Sequence, residues 1–228
     1  MRIVTLLGVL VLCAATTVPA RAAVSVRGTV VLPSALRAPP ERSASFWPRI
    51  ENGILPIAPP PVSPMSEVVV VLEGGPTTTS SWAGNVVMEI VGADLSPRVL
   101  PVLVGTTVEF KNTDRLTYTL YSPDNASFFA KEETPPGKSR KIKFLTPSVV
   151  LLRVDEFPHM EGAILVMQSP LYARPEDNGH FKIEGVSEGH YKLRVFLRGN
   201  LVYEQSVDVG RVSLEVPVKV PAPSRRTE

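Results

Sequence analysis

Short valine-rich runs broken by turn residues constrain this chain more than any other sequence feature. The clearest case spans residues 149–166, VVLLRVDEFPHMEGAILV, where two apolar runs flank a seven-residue loop. Runs of this length, rich in β-branched residues and bounded by Pro, Gly or Asp, are typical of strands. Good helix formers are never strung together for long, and 23 of the 228 residues are proline. The sequence therefore predicts an all-β chain, long enough for one large or two small domains.

Residues 1–22 are predicted to be a secretory signal peptide. Arg2 supplies the positive charge, residues 3–15 form the apolar core, and Ala-Arg-Ala at 20–22 is the cleavage site. A membrane anchor is disfavoured because the apolar run is short for a span. Lipoprotein processing at Cys13 is disfavoured because the preceding Leu12 is not small. We therefore expect an exported protein, in the periplasm or associated with the outer envelope, with no membrane span after cleavage.

Cleavage also changes the charge and the redox chemistry of the chain. The precursor has a formal charge of +2 and a pI near 8.7. Loss of Arg2 and Arg21 leaves 22 basic residues against 22 acidic ones. A neutral chain gives no basis for binding nucleic acid or an anionic membrane. Because Cys13 is the only cysteine, the mature chain is predicted to have no disulfide, thiolate ligand or thiol nucleophile.

The remaining sequence divides into predicted strands, one long proline-rich segment and a polar tail at 221–228. Residues 33–65 hold nine of the 23 prolines and are predicted to form an extended loop. Its apolar residues, including Trp47, would either anchor the loop to the protein or dock a partner. Strands are predicted at 23–32, 67–72, 85–91, 99–104, 107–111, 117–121, 138–144, on either side of the loop in 149–166, and at 181–186, 191–195, 202–209 and 212–220.

Residues 97–166 contain a recognisable series of motifs. They are Pro97-x-Val99-Leu100-x-Val102-x-Val104-Gly105-Thr106-Thr107-Val108-x-Phe110-x-Asn112-x-Asp114, Tyr118 to Ser122, Gly137, Phe144, Pro147 and Pro158-x-Met160-x-Gly162-x-Ile164-x-Val166. In these motifs the segment resembles cupredoxins of the exported bacterial, plastocyanin-like type. This resemblance implies a Greek-key β-sandwich with a copper site of two His, one Cys thiolate and a weak axial Met.

The same resemblance indicates that three of the four copper ligands are missing. Tyr118 stands at the position of the first His, and Val154, Phe157 and Met160 stand where the Cys, His and Met would follow. Methionine alone is a weak, soft ligand that more often fills a core. Val and Phe would fill the volumes of Cys and His with apolar groups and close the pocket. We therefore expect no type-1 copper, no cofactor and no copper-based electron transfer.

The loop keeps one further metal-ligating residue, His159. It could join Met160, Asp155 and Glu156 in an improvised metal site, but adjacent side chains on an extended segment diverge. The alternative use of the loop is as a contact surface for a partner. The candidate contact residues are Phe157, His159, Met160, Trp47 and Trp82.

The segments on either side of this region share a second set of motifs. They are Gly28-x-Val30, 68–72 and Gly179-x-Phe181-x-Ile183-x-Gly185-Val186-x-x-Gly189-x-Tyr191-x-Leu193. In these motifs the flanking segments resemble a carboxypeptidase regulatory-like, transthyretin-type β-sandwich. This resemblance implies a sandwich built from two separate parts, 23–75 and 170–220, with a degenerate cupredoxin-like domain at 76–169 inserted in it or packed beside it. Insertion at exposed loops is tolerated because chain ends there lie close together.

Three functions compete on this sequence. No G-x-S-x-G, H-E-x-x-H or phosphate-binding glycine loop is present, so no enzyme is indicated. The leading hypothesis is a noncatalytic binding or structural module of the cell envelope with a protein partner. The second is a carbohydrate-binding module, because transthyretin-type sandwiches resemble carbohydrate-binding-like folds, and Trp47 or Trp82 would then contact a polysaccharide. The third, copper binding or electron transfer by family analogy, conflicts with the residues at the ligand positions.

Overall fold

The computed structural model describes residues 24–37, 63–75, 85–125 and 129–222, and these confirm an all-β fold. They contain one short helix, α1 (Ser34–Arg37), one 3-10 turn (Pro64–Glu67) and sixteen strands. None of the helical segments in these ranges is long and apolar enough to cross a membrane. In chain order the strands are β1 (Val24–Val31), β2 (Val68–Gly74), β3 (Asn85–Val91), β4 (Asp94–Ser96), β5 (Val99–Leu103), β6 (Thr107–Asn112), β7 (Tyr118–Tyr121), β8 (Glu132–Thr134), β9 (Ser139–Lys143), β10 (Ser148–Val154), β11 (Glu161–Met167), β12 (Tyr172–Ala173), β13 (His180–Val186), β14 (Gly189–Leu197), β15 (Asn200–Val209) and β16 (Leu214–Lys219).

The described strands form four sheets, numbered here from one side of the molecule to the other. Sheet 1 has the order β13-β1-β16 and sheet 2 the order β12-β2-β14-β15. Sheet 3 has the order β5-β11-β10-β7-β8 and sheet 4 the order β4-β3-β6-β9. Sheets 1 and 2 use the two ends of the described chain and form the flanking sandwich. Sheets 3 and 4 use the strands between those ends and form the central sandwich.

The flanking sandwich has its own apolar core between sheets 1 and 2. Alternate residues of β2 point into it, Val68 and Val70 among them, and they pack with residues of β1, β13, β14, β15 and β16. Strand β1 pairs antiparallel with β13 and parallel with β16. The chain passes so close here that a Cβ on Gly28 would lie 2.0 Å from the Val216 carbonyl oxygen and 2.8 Å from the Phe181 ring. Only glycine fits at position 28, because any side chain there would collide with β16 and with the Phe181 ring.

The central sandwich combines parallel and antiparallel pairs. Strand β5 runs parallel to β11, and β3 runs parallel to β6, whereas β10 pairs antiparallel with both β11 and β7. The two parallel pairs require chain crossovers between sheets 3 and 4, and these crossovers wrap both sheets around one core. That core includes Met88, Phe110, Leu120, Leu152 and Ile164.

A third apolar layer joins the two sandwiches through the outer faces of sheets 2 and 3. The residues of β2 that point away from the flanking core lie in this layer, and residues of β5, β11 and β14 meet them. The four sheets therefore stack in the order 1-2-3-4, and β2, β5 and β11 are buried on both faces. The members of the layer are Val69, Val71, Val99, Leu103, Leu165 and Met167, with Phe196 at its border.

An ionic cluster closes the edge of this junction. The Glu67 carboxylate, only 5% exposed, accepts from Arg98 Nη1 at 3.1 Å and from Arg198 Nε at 2.5 Å. Arg98 Nε also donates to Asp94 at 2.9 and 3.1 Å. Burial opposes the charge on Arg98, but the hydrogen bond to Asp94 and the charges of Asp94 and Glu67 raise its pKa above the ordinary value. Glu67 thus ties the central sandwich, through Arg98, to the flanking one.

Three features differ from the sequence-based expectations. The proline-rich segment was expected to be extended, but its described ends form a helical turn at Ser34–Arg37 and a 3-10 turn at Pro64–Glu67. A Ser63 side chain that accepts from the Met65 N–H begins the second turn, so Glu67 precedes β2 rather than starting it. The short strands β4, β8 and β12 were not predicted, because two or three residues show no periodicity. The rest of the segment, 38–62, lies outside the described residues.

Candidate functional site

The predicted ligand positions meet at one end of the central sandwich. Strand β10 ends there at Val154, which pairs with Leu120 of β7, and the chain returns through the 155–160 loop into β11. A second loop, 113–117, leads into β7 at the same end. The ladder therefore places Tyr118 beside the 155–160 loop.

Backbone and carboxylate hydrogen bonds hold the 155–160 loop in one shape. The Asp155 N–H donates to the Thr119 carbonyl at 3.1 Å. Glu156 accepts from the Thr119 N–H at 2.8 Å and from its hydroxyl at 2.5 Å. The Met160 N–H donates to the Phe157 carbonyl at 2.8 Å, which closes a β-turn with Pro158 at its second position. The Asp155 carboxylate accepts from Lys131 Nζ at 2.7 Å, so the carboxylates of Asp155 and Glu156 have different partners and do not converge on a common ligand.

The four ligand positions lie together, and the side chains there pack as part of the core. Tyr118 and Met160 are fully buried, Val154 is nearly so, and the half-buried Phe157 packs against the same cluster. The Phe157 and Tyr118 rings lie 5.4 Å apart between centroids, tilted by 48°. Such ring pairs add to the stability gained from burial. The space between the four positions is therefore filled by side chains.

The one polar group among them, the Tyr118 hydroxyl, already has a partner. It donates to Asp114 Oδ2 at 2.8 Å, and the same oxygen accepts from the Ala93 N–H at 2.9 Å. Burial, the hydrogen bond to Asp114 and the charge of Asp114 all raise the pKa of Tyr118 above its ordinary value. The phenol is therefore held protonated, and its oxygen is not available as an anionic ligand.

The donor set at this end does not fit a type-1 copper ion. Such a site requires two imidazoles and a thiolate, and Val154 and Phe157 have no donor atoms. The thioether of Met160 is the only soft donor at these positions. Within the described ranges, no three His, Cys, Asp or Glu side chains lie close enough together to hold a metal ion.

Met160 corrects one of the sequence-based predictions. It was expected to contribute to an exposed contact surface, but it is fully buried, because the 157–160 turn directs it into the core. His159 is half-buried, and its ring meets the edge of the Phe157 ring at 6.0 Å. It borders a cavity of about 100 Å³ at the junction of the sandwiches, together with Glu67 and Arg98. Trp47 and Trp82 lie outside the described residues.

Sequence reasoning missed the roles of four residues at this end. Asp114 and Glu156 fix the two loops, and the spacing Asn112-x-Asp114 was a signal for the first of them. Asn112 is buried, and its side-chain amide donates to the carbonyls of Leu116 and Thr134, each at 2.7 Å. Leu116 is 49% exposed; a single apolar residue in a polar loop gave no signal in the sequence.

Fold and site together define an all-β protein of two packed sandwiches, in which three apolar side chains and a hydrogen-bonded phenol occupy the predicted ligand positions. No protein-family model matches the chain, and no curated protein matches it. Similarity is found among solved structures, and it is confined to part of the chain.

Three solved structures illustrate this similarity. A Cu-containing nitrite reductase from Thermus scotoductus is 27% identical over 37% of this chain and 22% of its own, with a TM-score of 0.35. A purple cupredoxin from Nitrosopumilus maritimus is 21% identical over 36% of this chain and 99% of its own, with a TM-score of 0.33. A reduced amicyanin variant is 18% identical over 40% of this chain and 94% of its own, with a TM-score of 0.34. Because all three TM-scores are low, no copper chemistry is transferred from these proteins to this chain.

Proposed function

We propose that this protein is a noncatalytic, exported binding module of the cell envelope whose copper site has been lost. The observation that carries the proposal is the packing of Tyr118, Val154, Phe157 and Met160 into one core at the former ligand positions. A site that is closed by apolar packing retains the scaffold and its rigid loops but offers no metal chemistry.

The same end also provides a surface for a partner. Leu116 is 49% exposed, Phe157 is half-buried and Pro158 is exposed; we call these three residues the end surface. Both loops that carry them are fixed by the hydrogen bonds of Asn112 and Glu156. Rigid apolar side chains with polar surroundings are typical of protein contact sites, because little entropy is lost on binding.

The proposal includes the domain division at residues 76 and 169. Strand β1 pairs with β13 and β16 and, among the described residues, with no strand of the central sandwich. The flanking and central cores share no member. Both observations support an inserted central domain, and they agree with a transthyretin-type arrangement of the flanking strands.

Copper titration tests the lost site directly. Mature protein is dialysed against Cu(II), desalted and analysed for bound metal and for visible absorption. We expect no stoichiometric, tightly held copper and no blue colour. Retention of one copper per chain after desalting would refute the proposal.

Restoring the ligands tests whether the positions have been assigned correctly. The triple variant Tyr118→His, Val154→Cys, Phe157→His supplies a thiolate and two imidazoles next to Met160, and we expect a blue, copper-dependent absorption. The matched control is the double variant without Val154→Cys, which lacks the thiolate and should stay colourless. A colourless triple variant that is folded would contradict the assignment.

A pair of leucine variants tests the end surface. Leu145 is 66% exposed in the 144–147 loop, at the opposite end of β10 from the 155–160 loop. A photo-crosslinking residue at position 116 should capture an envelope protein in intact cells, and the same residue at position 145 should not. A second crosslinker, placed at position 158, should capture the same protein. Leu116→Asp should abolish capture from position 158, whereas Leu145→Asp should leave it unchanged. Equal labelling from positions 116 and 145 would argue against the end surface.

A further inference from the structure

The edges of the four sheets are unequally protected. An unpaired edge offers a row of free N–H and C=O groups, and proteins block such edges with proline, charged residues or very short strands. Among the described strands, β4, β8 and β12 have only two or three residues. Pro101 interrupts β5, Pro217 interrupts β16, Lys182 lies in β13, and β9 holds Arg140, Lys141 and Lys143.

Strand β15 is the longest of these edge strands. It is ten residues long, contains no Pro, Lys or Arg, carries the two acidic residues Glu204 and Asp208, and pairs among the described strands only with β14. Its one irregularity is a bulge near its start, where the register shifts between Val195 and Phe196 of β14. Residues 203–209 beyond the bulge form a regular ladder with β14 on one side only.

We propose that β15 pairs antiparallel with β15 of a second copy of this chain, with the two-fold axis at Gln205. In this register Glu204 of each copy lies opposite Ser206 of the other, and Tyr203 lies opposite Val207. No two like charges face each other. Tyr203 and Val207 point towards the flanking core, so their pairing extends the apolar face from one copy into the next.

The charges beside β15 favour a second copy over an unrelated strand. On β14, Lys192 is the neighbour of Ser206, and Arg194 is the neighbour of Glu204. Arg194 already binds Glu204 at 2.7 Å. Lys192 also lies 3.7 Å from Glu204 of its own chain. Across the two-fold axis it would in addition face Glu204 of the second copy over the small Ser206 side chain. Opposite charges on neighbouring strands stabilise their pairing. Here β14 supplies the basic side chain, and β15 of the second copy supplies the acidic one.

The resulting interface is isologous and closed, as in most symmetric dimers. Sheet 2 of each copy has four described strands, so the pairing produces one continuous sheet through both molecules. It also pairs the longest edge among the described strands with its own copy, and a two-fold contact of this kind closes at two copies. This interface is separate from the end surface, so either proposal can fail without the other.

A cysteine at the two-fold axis is the sharpest test, because the mature chain is expected to contain no other thiol. Gln205→Cys should form a symmetric intermolecular disulfide under mild oxidation of dilute protein, since antiparallel partners lie within disulfide range. The matched control is Val212→Cys, 79% exposed and outside β15, which should remain uncrosslinked. Failure of Gln205→Cys to crosslink, or equal crosslinking of both variants, would overturn the proposal.

Sedimentation of the full mature chain gives the second readout. The wild type should be a dimer that dissociates on dilution; a monomer at every concentration would refute the pairing. Ser206→Glu places a carboxylate opposite Glu204 of the other copy, and this happens twice per dimer. The variant should therefore weaken association by roughly tenfold. Ser206→Lys, at the same exposed position, places opposite charges there and should preserve the dimer. Equal effects of the two variants, with unchanged circular dichroism, would contradict the register.

Discussion

Among the residues at the four predicted ligand positions, Tyr118 carries the only side-chain hydroxyl, and this hydroxyl donates to Asp114. The same carboxylate also accepts from the Ala93 N–H. Because Asp114 lies in the loop before β7, the bond also fixes that loop. Tyr118 thus fills part of the core and also fixes one of the two loops of the end surface.

Removing this hydroxyl should have an effect that depends on pH. Tyr118→Phe should cost about 1 kcal/mol of unfolding free energy near neutral pH, because Asp114 keeps a second donor. The pKa of Tyr118 is raised in the folded protein, so its stabilising contribution is complete below the unfolded value of about 10 and is lost as the pH rises above it.

The measurement is the unfolding free energy of wild type and variant between neutral and alkaline pH. The gap between the two proteins should be constant up to pH of about 10 and should then narrow. A gap that widens at alkaline pH would show that Tyr118 ionises readily in the folded protein, against its burial.

The sequence indicated which residues belong to this site better than it indicated their burial and their hydrogen-bond partners. The four residues assigned to the ligand positions from motif spacing lie together in one core. The burial of Met160 was not predicted, because it depends on a turn closed by one backbone hydrogen bond. The role of Glu156 was not predicted either, because its partner Thr119 lies 37 positions away in the sequence.

Strand β2 shows how one element serves two cores. Val68, Val70 and Leu72 point into the flanking core, while Val69 and Val71 point into the layer between the sandwiches. A run of five consecutive apolar residues is therefore required, since successive side chains of a strand point to opposite faces. The run predicted a buried strand, but a single sequence does not show which sheet covers each face.

A double-mutant cycle separates the two faces of β2. Val69→Ala and Val70→Ala remove similar groups from fully buried positions, and each should cost about 2 kcal/mol. Combined with Leu165→Ala in the layer between the sandwiches, Val69→Ala should show a coupling of about 1 kcal/mol, whereas Val70→Ala should be additive. The measurement is chemical denaturation of the single and double variants. If Val69→Ala and Val70→Ala were coupled equally to Leu165→Ala, the two faces of β2 would not pack into separate apolar layers.

At the scale of the whole molecule, Glu67 is the residue that links the sandwiches by charge. Glu67→Gln removes a buried carboxylate from between Arg98 and Arg198 and should cost about 2 kcal/mol. The matched control is Glu184→Gln, which removes an exposed ion pair with Lys182 and should change stability little.

Denaturation of both variants at neutral pH provides the comparison. If Glu67→Gln behaved like the exposed control, the ionic cluster would not contribute to holding the sandwiches together. The sequence did not predict this cluster, because Arg98 and Arg198 lie 31 and 131 positions from Glu67. Long-range pairs of this kind depend on the stacking order of the sheets.

The pairing of β1 with β16 dictates the order in which the molecule is completed. Ser25 and Ser213 hydrogen-bond across 188 positions of sequence, so the first described strand has no partner on one side until the last strand has been synthesised. The central sandwich contains only strands from the middle of the described chain and is free to form earlier. Contacts of such separation slow folding. We therefore expect the central sandwich to fold first, and the flanking one to close around its junction only when the chain is whole.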